Sequence, residues 1–103
     1  MEEQQRKIEI FAQLLELQQV ESLHRRKLDC QANLDGVKTT IKPGKKYTKV
    51  NVGYSGKYMV EHSTGDIYGI KGYGVINRKH RFGNLGTIND YYWGEYRGFK
   101  KSQ

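Results

Sequence analysis

The sequence predicts an α+β fold: a long N-terminal helix followed by a small antiparallel sheet, or a partly closed barrel, of four or five strands. Three observations carry this expectation. Residues 2–34 contain neither glycine nor proline and are dominated by Glu, Gln, Leu, Lys and Arg, all good helix formers. From Val37 onward, short runs of strand-forming residues alternate with glycine-containing breaks such as Pro43-Gly44 and Ser63-Thr64-Gly65, the pattern of a meandering sheet. The physics of the chain also changes near Gly36. Residues 1–36 carry a net charge of −2, residues 37–103 carry +9, and all eight tyrosines and the only tryptophan lie in the second segment. The organisation read from this is an amphipathic interaction or oligomerisation helix over 1–36 and a basic, Tyr/Gly-rich β domain over 37–103.

In the helix, Ile8, Ile10, Phe11, Leu14, Leu15 and Leu17 form one broad apolar stripe at helical spacing. Val20, Leu23, Cys30 and Leu34 form a second, almost opposite the first. One small sheet covers only one of them. Either the helix breaks near Gln18–Ser22 and folds back, or the second stripe packs on another copy of the chain. In that case Val20, Leu23 and Leu34 are the oligomerisation residues and the protein is a homo-oligomer. Gly36 is the expected helix stop.

Residues 37–42 and 46–52 read as strands joined at Pro43-Gly44. They place Lys38, Lys42, Lys45, Lys46 and Lys49 on one small hairpin, where like charges repel unless water or an anion matches them. Lys57–His62 and Asp66–Ile70 form a second hairpin closed by Ser63-Thr64-Gly65. If His62 faces Asp66, then Tyr58, Val60, Tyr68 and Ile70 share the core face, and Lys57, Met59, Glu61, Ile67 and Lys71 the other. Asn77-Arg78-Lys79-His80 reads as a cationic loop tip between Val75-Ile76 and Arg81-Phe82. In the tail, Thr87 and Asp90 have capping-box spacing, and Tyr91, Tyr92, Trp93 and Tyr96 suggest an aromatic clamp on the sheet edge.

Lys71-Gly72-Tyr73-Gly74-Val75-Ile76 resembles the central strand motif of cold-shock domains. It is also similar to the opening of the RNA-recognition-motif octapeptide. The resemblance covers six residues and implies a parallel of chemistry, not membership: Tyr73 would stack on a base and Lys71 would meet phosphate. Val75 stands where the family motif has a second aromatic. Gly53-Tyr54-Ser55-Gly56-Lys57 has too few residues between its glycines for a phosphate loop, and Tyr58 follows where Ser or Thr is required.

The net charge of +7 and pI near 9.5 are the electrostatic footprint of nucleic-acid binding. The expected function is a small nucleic-acid-binding protein, for single-stranded RNA or DNA, with no cofactor and no enzymatic activity. Its binding residues would be Lys42, Lys45, Lys46, Lys49, Lys57, Lys71, Tyr73, Arg78, Lys79 and Arg81. The alternative is a protein-interaction or assembly module, such as a viral or phage accessory factor, that binds through the helix and uses its aromatics as core. His24, Cys30, His62 and His80 lack metal-ligand spacing, and a polar pair His62–Asp66 at a turn end is expected to be structural. One cysteine and no apolar run of signal or membrane-span length point to a cytoplasmic protein, or a nuclear one in a eukaryotic cell.

Overall fold

The computed structural model describes residues 2–53, 55–72, 75–94 and 98–100. Helix α1 runs from Glu2 to Arg25 and a short helix α2 from Gln31 to Asp35. Five strands follow, β1 (Thr39–Pro43), β2 (Tyr47–Val52), β3 (Ser55–Glu61), β4 (Asp66–Gly72) and β5 (Val75–Asn84). They pair antiparallel in sequence order β1-β2-β3-β4-β5 as one open sheet. A 3-10 turn at Ile88–Asp90 leads to β6 (Tyr91–Tyr92), which pairs with β7 (Phe99–Lys100). The fold is α+β, and the sheet does not close into a barrel.

The helix passes unbroken through Gln18–Ser22 and ends instead at residues 26–28. Lys27 has a left-handed φ of 57°. The Lys27 N–H donates to His24 O at 3.1 Å and the Leu28 N–H to Leu23 O at 2.8 Å. These are the two bonds of a Schellman C-cap, with Leu28 and Leu23 at the positions of its apolar contact. Lysine occupies the place where glycine is usual, and the imidazole of His24 lies 2.5 Å from the Asp29 carboxylate just beyond the cap. The second apolar stripe therefore does not continue on one helix, because Leu34 belongs to α2.

One face of α1 packs on one face of the sheet. Ile8, Phe11, Ala12 and Leu15 meet Val50, Val52, Tyr58, Val60 and Ile67, with Leu85, Ile88 and Trp93 closing the core. The two segments of opposite charge thus share one core. Polar side chains of the helix fix its seat. The Gln4 amide donates to His62 O at 2.6 Å, Glu16 accepts from Thr39 N at 2.8 Å, and the Thr39 hydroxyl donates to Ala12 O at 3.1 Å.

The β3–β4 hairpin differs from expectation by one residue. Val60 pairs with Ile67, Met59 with Tyr68 and Tyr58 with Gly69. The turn takes four residues, 62–65, and Gly65 at φ 74° bonds back to Glu61 O at 2.7 Å. A shift of one residue exchanges the two faces of a strand. Ile67 is consequently fully buried under the helix, and Tyr68 lies on the opposite face beside Met59.

Candidate functional site

The sheet face away from α1 is built by alternation. Successive registers align Lys42, Lys49, Met59, Tyr68 and Arg81 as one row across all five strands. Tyr47 pairs with Glu61 one step along this face. Although no helix among the described residues covers it, Met59 and Tyr68 are only 6% and 8% exposed. Arg78 lies over the ring of Tyr68.

Arg78 reaches this position through an irregularity in β5. Tyr68 pairs with Arg81 and the next residue, Gly69, pairs with Asn77, so Arg78, Lys79 and His80 are three extra residues of a bulge. The expected cationic loop tip is therefore a bulge within a ten-residue strand. The Asn77 side chain accepts from the Lys79 N–H at 3.2 Å inside it. Bulges re-aim side chains, and this one sends the Arg78 guanidinium over the rings of Tyr68 and Tyr47, 5.3 and 5.8 Å from their centroids. Arg78 also donates to the Tyr47 hydroxyl and to Glu61, the latter at 2.9 Å. Next to it, Arg81 donates to Asp66 at 2.9 Å.

These pairs fix the charge states on the face. The Arg78 hydrogen bond holds the Glu61 carboxyl below its ordinary value, and the Arg81 hydrogen bond does the same for Asp66. Both guanidiniums are pushed further up. A carboxylate depressed by folding stabilises the protein above its unfolded pKa, and that contribution disappears as pH falls through the folded value. The expected result is a melting temperature that declines once pH drops below the ordinary values of 4.5 for Glu61 and 3.8 for Asp66. A Glu61→Gln/Asp66→Asn variant should start lower at neutral pH and decline less steeply on acidification. Thermal melts across a pH series check this, and parallel profiles for the two proteins would contradict it.

A cleft of about 750 Å³ opens where this face meets the N-terminal end of α1. Gln4, Gln5 and Ile8 form one wall, Lys45, Lys46 and Tyr47 another, and Arg78 stands at its edge. At its base the Thr48 side chain, 1% exposed, lies 2.7 Å from His62 Nε2. His62 Nδ1 is 3.0 Å from Lys45 O. A carbonyl only accepts, so Nδ1 carries a hydrogen toward Lys45 O, and the Thr48 hydroxyl, which can donate or accept, partners Nε2. This strut joins the β1–β2 turn to the β3–β4 turn. His62 is thus partnered by Thr48 and not by Asp66.

The predicted binding residues distribute as follows. Lys42, Lys49, Arg78 and Arg81 share the open sheet face, and Lys45 and Lys46 occupy the β1–β2 turn at the cleft. Lys79 projects from the bulge as an exposed side chain. Lys57 is the extra residue of a second bulge, between the pairs Val50–Tyr58 and Asn51–Gly56. Tyr73 and the side chain of Lys71 lie outside the described residues. Lys42, Lys45, Lys46 and Lys79 are exposed, and no ion pair among the described residues engages them. Among the described tyrosines, Tyr58 and Tyr68 are buried and Tyr47, Tyr91 and Tyr92 are half-buried. Of the predicted oligomerisation residues, Leu23 is 8% exposed within the single chain, and Val20 and Leu34 are half-buried.

Sequence reasoning did not find Glu61, Asp66 or Tyr47 as partners of the arginines. The opposite signs were visible, but the pairing depends on the β3–β4 register and on the bulge. Among the described residues, no group of His, Cys, Asp or Glu is arranged to hold a metal ion, and no helix is long and apolar enough to cross a membrane. Comparison with protein-family models, curated proteins and solved structures finds no match to this chain.

Proposed function

We propose that the protein binds single-stranded nucleic acid across the open sheet face and the adjoining cleft. The observation that carries this reading is the grouping of exposed Lys45 and Lys46 in the β1–β2 turn with exposed Lys42 on the adjoining strand β1, and Arg78 at the edge of the cleft. Cations gathered this closely repel one another, and a row of phosphates relieves that repulsion while releasing counterions. The Arg78 guanidinium, centred 5.3 and 5.8 Å from the Tyr68 and Tyr47 ring centroids, supplies the kind of plane on which an unpaired base stacks. Tyr73, in the motif at 71–76, is proposed as a further stacking residue. The described tyrosines support a narrower role: Tyr47 and Tyr68 orient Arg78 and are not themselves open platforms.

The test is the affinity for a labelled single-stranded oligonucleotide across a salt series. Replacing Lys42, Lys45 and Lys46 with Gln should weaken binding for every sequence and reduce the salt slope by roughly 0.7 for each lysine that meets phosphate. Arg78→Lys keeps the charge but loses the plane. It should lower affinity with little change in slope. Absence of binding by the wild-type protein at low salt, or a triple lysine variant with an unchanged slope, would refute the reading.

A further inference from the structure

We propose that α1 pairs antiparallel with α1 of a second copy of this chain, about a two-fold axis beside Gln13 and Leu14. The inference begins with what the sheet leaves uncovered. The buried side of α1 is Ile8, Phe11, Ala12 and Leu15. At about 100° per residue, the opposite side carries Glu3, Arg6, Ile10, Gln13, Leu17, Glu21 and His24, and every one of these is exposed. The apolar stripe read as continuous in the sequence is therefore split. Ile10 and Leu17 point outward, 48% and 63% exposed, two turns apart on a face otherwise made of polar and charged residues.

The charges along that stripe choose the occupant. Antiparallel pairing about Gln13 and Leu14 sets Ile10 against Leu17 of the second copy, and Leu17 against its Ile10. The same register sets Arg6 against Glu21 and Glu3 against His24, each contact occurring twice by symmetry. Opposite charges meet at Arg6–Glu21, and the two symmetry-related Ile10–Leu17 contacts are buried between them. A parallel pair would instead oppose Arg6 to Arg6, Glu3 to Glu3 and Glu21 to Glu21, which is repulsive. The stripe is thus complementary to itself in one orientation, as a two-fold interface requires. It is also distinct from Val20, Leu23 and Leu34, and it lies on the opposite side of the molecule from the cationic sheet face. Two bound copies would present two such faces pointing away from each other.

Seven residues per helix make a small contact, so association should depend on concentration. The experiment is sedimentation equilibrium of the full chain, freed of nucleic acid by nuclease and high salt so that bridging cannot mimic pairing. The wild-type mass should rise with concentration from 12.0 kDa toward twice that value. Leu17→Glu, Arg6→Glu and Glu21→Arg should each remain at the monomer mass. The double swap Arg6→Glu/Glu21→Arg should recover the dimer, because it restores opposite charges in the same register. Arg6, Leu17 and Glu21 are all exposed, so circular dichroism and melting should be unchanged except for the effect of association itself. In a Cys30→Ser background, Gln13→Cys should oxidise to a disulfide-linked dimer. A wild-type protein that stays monomeric, a dimer unaffected by Leu17→Glu, or a double swap as monomeric as its single variants would each overturn the proposal. A mass beyond the dimer would do the same, since a two-fold contact closes.

Discussion

A chain beginning at Val37 should lose its cooperative thermal transition. Removing α1 strips Ile8, Phe11, Ala12 and Leu15 from the core, and three of these are no more than 1% exposed. Each large apolar side chain contributes about 1.5–3 kcal/mol through burial, so the three together account for roughly 5–9 kcal/mol. Domains of this size have only about 5–15 kcal/mol of net stability. The truncation would also bare Val50, Val52, Tyr58 and Val60, which pack directly beneath the helix. The expected observations are a broad, shallow melt, loss of amide-proton dispersion, and aggregation through the exposed sheet face. A sharp transition near the full-length midpoint would show that the sheet stands alone and that the shared core contributes little. Supplying residues 1–36 as a separate peptide should restore part of the transition if the helix acts through packing.

The fold class was legible because its signals are local and redundant. No glycine or proline interrupts residues 2–34, and the strands from β1 to β4 are separated by glycine-bearing turns. What was not legible depended on backbone states that residue type does not encode. The helix stops at Lys27, a lysine in the left-handed region. Gly36, the expected stop, comes nine residues later, where it C-caps the separate helix α2 in the right-handed region at φ −71°. The β3–β4 turn takes four residues where three were expected, and that single residue moved Ile67 into the core and Tyr68 out of it. The cationic character of the candidate site was equally plain in the sequence. Its internal structure was not, because Arg78 meets Glu61 only through a bulge in β5. A run of polar residues inside an edge strand looks like a loop until the partner strand is known. Gly53 shows the same limit. A Cβ there would lie 2.2 Å from Gly36 O, a contact between the end of α2 and the β2–β3 turn that no local pattern announces.

Trp93→Ala should cost about 3–5 kcal/mol, the range for deleting a large buried aromatic. Trp93 is fully buried, and it is the hub of the aromatic cluster that joins the tail to the core. Its ring contacts Phe11, Tyr58 and Phe82 edge-on at 4.8, 5.3 and 6.1 Å and stacks on Tyr91 at 5.4 Å. The indole N–H donates to Ile88 O at 3.0 Å, anchoring the 3-10 turn. Its backbone is gripped by the helix, since Gln18 accepts from Trp93 N at 2.7 Å and Gln19 donates to Trp93 O at 2.6 Å. Alanine leaves a cavity bordered by helix, sheet and tail at once. Trp93→Phe keeps part of the ring packing but leaves Ile88 O without its donor, so its loss should fall between wild type and alanine. Gln18→Ala removes only one backbone tether and should cost less than either. Urea titration monitored by far-ultraviolet circular dichroism separates these outcomes: midpoints should fall in the order wild type, Gln18→Ala, Trp93→Phe, Trp93→Ala, with similar slopes. A Trp93→Ala protein within about 1 kcal/mol of wild type would mean that the tail is an appendage, because a core residue of this size cannot be removed so cheaply.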